Sequence, residues 1–141
     1  MFKILLAVDG SENSMRAVQH VIKRSSAAKD QYQIELVNVQ YPLHGSAAGF
    51  VSADQVKQYH HDEGMKVLTG AADALKAGGV PFSQHLFVGQ PAEVIARFAG
   101  EQNCDEIVIG TRGLSALGGL LVGSVASRII HLADAPVVLV K

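Results

Sequence analysis

Three short runs along the chain, residues 2–8, 106–109 and 137–140, consist almost entirely of aliphatic and β-branched side chains. So little polar alternation predicts strands covered on both faces, as in a parallel sheet. Two further runs, 33–39 and 82–88, alternate more clearly and carry Glu35, Ser83 and His85, which puts them nearer a sheet edge. Helical spacing fills the gaps. A helix capped by Ser11 or Asn13 is expected to run to about Ala28, with Met15, Val18, Val21 and Ile22 along one face. Residues 54–76 place Val56, Val67, Leu68, Ala71, Ala72 and Leu75 on one side and end at Gly78-Gly79. Pro91 suits a first helical position, Glu93 favours the positive end of a helix, and Val94, Ile95 and Phe98 supply the apolar face. A last helix starts near Ser124 and runs through Val125, Ile129, Ile130 and Leu132 to Ala133, before Pro136 opens the final strand.

Strands and helices thus alternate through five strands, and buried strands joined by helices require crossovers in a mostly parallel sheet with helices on both faces. The reading is a three-layer α/β/α fold. At 141 residues one domain spanning 1–141 is expected. The one long connection is 41–52, whose dozen residues include Pro42, Gly45 and Gly49 and suggest mobility or a role at a site.

Composition narrows the function classes. Hydrophobic residues make up 48% and charged residues 18%, too apolar a balance for intrinsic disorder. The net charge of -1 gives no basic excess, which argues against general nucleic-acid binding. The five apolar residues between Lys3 and Asp9 are too short for a secretory core, and the weakly polar stretch 116–126 is too short to span a bilayer. A soluble cytoplasmic protein without membrane association is expected. Cys104, the single cysteine, can form no internal disulfide and is expected to pack beside the fourth strand. His60 and His61 are neighbours, so on a helix they point about 100° apart and lack the i, i+4 spacing of a metal-binding pair.

The segment 110–124 carries five of the fourteen glycines and joins a buried strand to a helix start. Glycines let successive backbone N–H groups turn inward as an anion nest, and a helix N-terminus adds free N–H groups and a positive dipole end. The same glycines also suit a loop that merely packs tightly. No Lys follows Gly123, so the G-x-x-x-x-G-K-[ST] phosphate loop is absent, and Asp9-Gly10-Ser11-Glu12-Asn13-Ser14 lacks the dinucleotide pattern G-x-G-x-x-G. Asp9 could accept hydrogen bonds from ribose hydroxyls or serve as a turn residue. Arg112 could counter phosphate charge or face solvent. His44 lies in the long loop, and no G-x-S-x-G elbow surrounds any serine.

The spacing Gly110-x2-Gly113-x9-Gly123-Ser124 resembles the ATP-binding branch of the universal stress protein family. So do the apolar first strand ending in Asp9, the Asp9-Gly10-Ser11 turn and the C-terminal Ala135-Pro136-Val137-Val138-Leu139-Val140. The resemblance covers the whole chain. It implies a Rossmann-like, adenine-nucleotide alpha-hydrolase-like sheet of order 3-2-1-4-5, with ATP at the carboxyl ends of strands 1 and 4. On that pattern Ala7, Val8 and Asp9 border the adenosine, Asp9 contacts it, and Val39 packs near adenine. Gly110, Gly113, Gly123, Ser124 and Val125 would hold the phosphates, with Arg112 beside them and Mg carried on the phosphates. No catalytic residues and no direct metal ligands are assigned. The resemblance also implies a homodimer through strand 137–140 and a nucleotide-dependent stress-response or signalling module with at most slow hydrolysis, acting on a protein partner that the sequence leaves unknown. Two rivals stay open: an ATPase or nucleotidyl-transferring enzyme with the same loop, and a partner-binding protein that uses no nucleotide.

Overall fold

The computed structural model describes residues 1–43, 49, 52–112 and 122–141. Strands β1 (Phe2–Ala7), β2 (Tyr32–Gln40), β3 (Phe82–Val88), β4 (Glu106–Gly110) and β5 (Val137–Val140) alternate with helices α1 (Glu12–Ala27), α2 (Ala53–Ala77), α3 (Pro91–Glu101) and α4 (Ser124–Leu132). The five strands form one parallel sheet of order β3-β2-β1-β4-β5, as expected.

The strands are apolar on both sides because each side has its own core. Ile4, Leu6, Ile34, Leu36 and Val108 pack with Val18 and Val21 of α1 and Leu68, Ala71 and Leu75 of α2. Leu5, Ala7, Val37 and Ile107 pack on the opposite face with Ile95 and Phe98 of α3 and Ile129 of α4. The result is the three-layer α/β/α arrangement. Outward polar groups close the helix ends: Ser11 caps α1 by accepting from the Ser14 N–H, and Ser52 and Gln55 form a reciprocal capping box on α2. At the other end of α2 the Gly78 N–H donates to the Ala74 carbonyl and Gly79 adopts φ +70°.

β3 is an edge strand, β2 lies one strand inside it, and the polar positions that made both look peripheral satisfy each other: His85 Nε2 lies 2.6 Å from Glu35 Oε2. β5 is the other edge, as the order 3-2-1-4-5 implies, but all four of its residues are only half-buried, so the full coverage of both faces expected from its aliphatic run is not reached. On α4, Ile129 is buried whereas Ile130 and Leu132 are exposed, since Ile130 is turned about 100° from Ile129 and Leu132 closes the helix. α2 buries two positions that its aliphatic spacing did not reveal, His60 and Gly64. Gly64 is buried because a side chain there would strike Leu86 of β3. Among the described residues no helix is long and apolar enough to cross a membrane.

Candidate functional site

At the carboxyl ends of the strands, β1 and β4 lie side by side while their following connections leave toward α1 on one face and α4 on the other. Such a divergence opens a crevice in any parallel sheet. Here it is a cavity of about 310 Å³, at the lower end of the roughly 300–1,000 Å³ usual for small-molecule clefts.

The β1 side is shaped by a turn. Asp9 Oδ1 accepts from the Ser11 N–H at 2.9 Å, and Gly10 has φ +86°, a conformation that favours glycine. Ser14 Oγ lies 3.4 Å from the Asp9 N–H and donates to the Ser11 carbonyl at 3.0 Å. Asp9 is therefore held at the start of α1, half-buried and on the cavity wall.

On the β4 side the chain passes through Gly110 and Thr111. A Cβ on Gly110 would stand 2.8 Å from the carbonyl carbon of Asn13 and 2.9 Å from its oxygen, so glycine is required there by the close approach of α1. Tight packing, one of the two reasons open for this glycine, is thus sufficient for it. Asn13 Nδ2 donates to Thr111 Oγ1 at 3.0 Å with both residues buried. The Thr111 N–H donates to the Val140 carbonyl at 2.8 Å, and the Gly123 N–H donates to the Thr111 carbonyl at 2.6 Å. Thr111 thereby joins α1, β5 and the start of α4.

Gly123 is the N-cap of α4, at φ -72°, and among the described residues no side chain caps this helix. The first N–H groups of α4, from Ser124 onward, precede the first intrahelical bond, which the Ser127 N–H makes to the Gly123 carbonyl. They carry the positive end of the helix dipole onto the cavity wall at Ser124, Val125 and Ala126. An anion could be bound there without any lysine.

The structure brings Ala7, Val8, Asp9, Val39, Gly110, Arg112, Gly123, Ser124 and Val125 onto this one cavity. Gly113 and His44 lie outside the described residues, as do most of the long loop and of the glycine-rich segment. Arg112 is exposed and lines the rim, compatible with both roles open for it. Sequence reasoning missed Ser14, Asn38, Gln40, Tyr41, Ile95 and Thr111, which also line the cavity. Asn38 and Gln40 carried a usable signal, because amide side chains closing an otherwise apolar parallel strand fall at its carboxyl end, where ligands bind. Asn38 is 2% exposed; its Nδ2 donates to the Val8 carbonyl and its Oδ1 accepts from Gln40 Nε2, both at 2.8 Å.

Outside the cavity, Cys104 packs into the core beside α3, and burial pushes its thiol up to about 11, with the Glu35 carboxylate adding to the effect. His60 is buried and His61 exposed; among the described residues neither ring nitrogen of His60 has a hydrogen-bond partner. Among the described residues no group of three or more His, Cys, Asp or Glu side chains is arranged to hold a metal ion.

Comparison with known proteins agrees with this architecture. A universal stress protein from Thermus aquaticus is 34% identical over 143 residues, with full coverage of both chains. The solved universal stress protein from Archaeoglobus fulgidus superposes with a TM-score of 0.78 at 27% identity, covering 100% of this chain and 99% of its own. A universal stress protein solved in complex with cAMP gives a TM-score of 0.71 at 26% identity, covering 99% of this chain and 97% of its own. The profile of the universal stress protein family matches residues 1–141. On sequence and fold together, the chain belongs to the universal stress protein family.

Proposed function

We propose that the cavity binds an adenine nucleotide, ATP in particular, and that the protein is a nucleotide-dependent stress-response module with at most slow hydrolysis. One observation carries this reading: the start of α4, which no side chain caps among the described residues, and the Asp9 turn face a single cavity with an apolar wall at Val39 and Ile95. Phosphates suit the N–H groups of Ser124 and Val125, ribose hydroxyls suit Asp9, and a base suits the apolar wall. The relative solved with cAMP supports an adenine nucleotide as the ligand class.

Among the described lining residues Asp9 is the only carboxylate, and its Oδ1 already accepts from the Ser11 N–H. Mg would therefore be carried on phosphate oxygens and water, where it would neutralise phosphate charge. Slow turnover follows from the same scarcity, since hydrolysis needs a positioned water and a group to orient it. A turnover number of about 10 per second that falls in Asp9→Ala would make the protein an enzyme instead.

Among the described residues the outer edge of β5 is unpaired and the strand half-buried, and pairing with a second copy across a two-fold axis would cover it. We take the working unit to be that homodimer; sedimentation as a monomer at working concentration would overturn it. The nucleotide reading is tested by the unfolding midpoint of stripped protein with and without Mg-ATP, with AMP and GTP as controls. Ligand at 100 times its Kd adds about 2.7 kcal/mol and raises the midpoint by several degrees. The shift should vanish in Gly113→Val with Gly123→Val. No shift in the stripped wild-type protein would overturn nucleotide binding.

A further inference from the structure

We propose that residues 53–63, the first turns of α2, open as a unit separate from the rest of the fold, and that the imidazole of His60 makes that opening easy. α2 has 25 residues and spans about 38 Å, whereas β2, the longest strand of the sheet, has nine residues and spans about 30 Å. The two parts of the helix are held differently. Beyond Gly64, Leu68, Ala71, Ala72 and Leu75 are buried in the core shared with α1. Along 53–63 only His60 is buried, Val56 and Glu63 are half-buried, and the rest are exposed, Tyr59 to 48%. Among the described residues the side-chain hydrogen bonds and ion pairs of this segment stay local to the helix: the box of Ser52 and Gln55, Gln58 with Asp62, and Glu63 with Lys66.

The one buried anchor of this segment holds it weakly. His60 is 5% exposed, and neither ring nitrogen has a hydrogen-bond partner among the described residues. Water hydrates both nitrogens of an exposed imidazole, so burying the ring unpaired opposes docking, where a leucine of similar size would favour it. The weakly and firmly held parts meet at Gly64, against which Leu86 of β3 fits only because no side chain is there, and glycine is a poor helix former. Once undocked, about three turns of helix do not persist in water. Opening therefore melts 53–63 while the sheet, α1 and the rest of α2 stay packed. α2 begins a dozen residues after Tyr41, so the strand end on the cavity wall is followed in the chain by a helix start that can let go independently.

Trypsin digestion of the native full chain, with first cuts followed by mass spectrometry, tests both parts of the proposal. Cleavage tracks the population of the open form when reclosing is fast. Lys57 lies in the proposed unit and Lys23 in α1. With each rate divided by that of the same bond in an unstructured peptide, the cut after Lys57 should be about tenfold or more faster than the cut after Lys23. His60→Leu should slow the Lys57 cut about tenfold. Ile34→Val, a conservative change in the core, should speed the Lys23 cut by about twofold or more and leave the Lys57 cut unchanged, because Ile34 stays packed in the open form. A Lys57 cut no faster than the Lys23 cut, or one that speeds equally in Ile34→Val, would overturn the separate unit. A wild-type rate after Lys57 in His60→Leu would overturn the role of His60. His60→Met, whose side chain adapts to irregular gaps, repeats that comparison should His60→Leu fail to fold.

Discussion

Gly110 at the end of β4 and Asn13 in the first turn of α1 approach so closely that a methyl group on Gly110 would lie 2.8 Å from the Asn13 carbonyl carbon. The obstacle is backbone, which cannot swing aside as a side chain can. Gly110→Ala should therefore destabilise the ligand-free protein by about 1–3 kcal/mol, seen as an unfolding midpoint several degrees lower. A glycine needed only for phosphate approach would leave the ligand-free midpoint unchanged and alter nucleotide affinity alone.

The same junction depends on a buried hydrogen bond. Thr111→Val keeps the shape but removes the acceptor of Asn13 Nδ2, leaving a buried N–H unpaired at a cost of about 1–3 kcal/mol. Thr111→Ser retains the hydroxyl and should recover most of that stability. Denaturant midpoints of the three proteins check the order.

Gly64 in α2 poses a question of sign. Alanine would gain roughly 0.5–1 kcal/mol in helix propensity, yet its Cβ would sit 2.2 Å from Leu86 Cδ1 and 3.0 Å from Leu86 Cγ. The whole end of the leucine must move, so Gly64→Ala should be destabilising in the wild-type background. With Leu86→Ala already present the same change should become stabilising. A double-mutant cycle should show coupling of about 1 kcal/mol or more, and additivity would rule out the contact.

Cys104 gives an alkaline signature. Its thiol is raised to about 11 in the folded protein, mainly by burial, against about 8.5 in an unfolded chain. The raised value favours the folded state fully below about pH 8.5, and this contribution is lost as pH climbs toward 11. Wild-type stability should fall across that window more steeply than that of Cys104→Ala. Alkylation of the native thiol at pH 8 should be roughly 100-fold slower than that of a free cysteine.

Much of this architecture could be read from side-chain spacing because each strand and helix carries its own local mark: unbroken aliphatic runs for β1 and β4, Ser11 before α1, Pro91 opening α3 and paired glycines closing α2. Val39 was readable through the resemblance to the family's pattern, and Asp9 and Ser124 also by position; all three stand at strand ends or a helix start that border the cavity. What could not be read is what depends on a contact between distant segments. The reason for Gly110 lies nearly a hundred residues away in α1, and the burial of Gly64 lies in a leucine of β3. Asn38 and Gln40 look like ordinary polar positions of a peripheral strand until the Val8 carbonyl, thirty residues earlier, is seen to orient them.

Thr111 holds β5 and the α4 cap through consecutive backbone bonds while the first N–H groups of α4 stay outside the helical ladder. In hydrogen-exchange terms the cavity combines a slow floor with a fast wall. The amides of Thr111 and Gly123 can exchange only when the edge strand or the helix start opens, whereas those of Ser124 and Val125 have no hydrogen-bond partner among the described residues. Protection of those two amides on adding a ligand, with the floor unchanged, would report occupancy residue by residue and locate the anion without a bound structure.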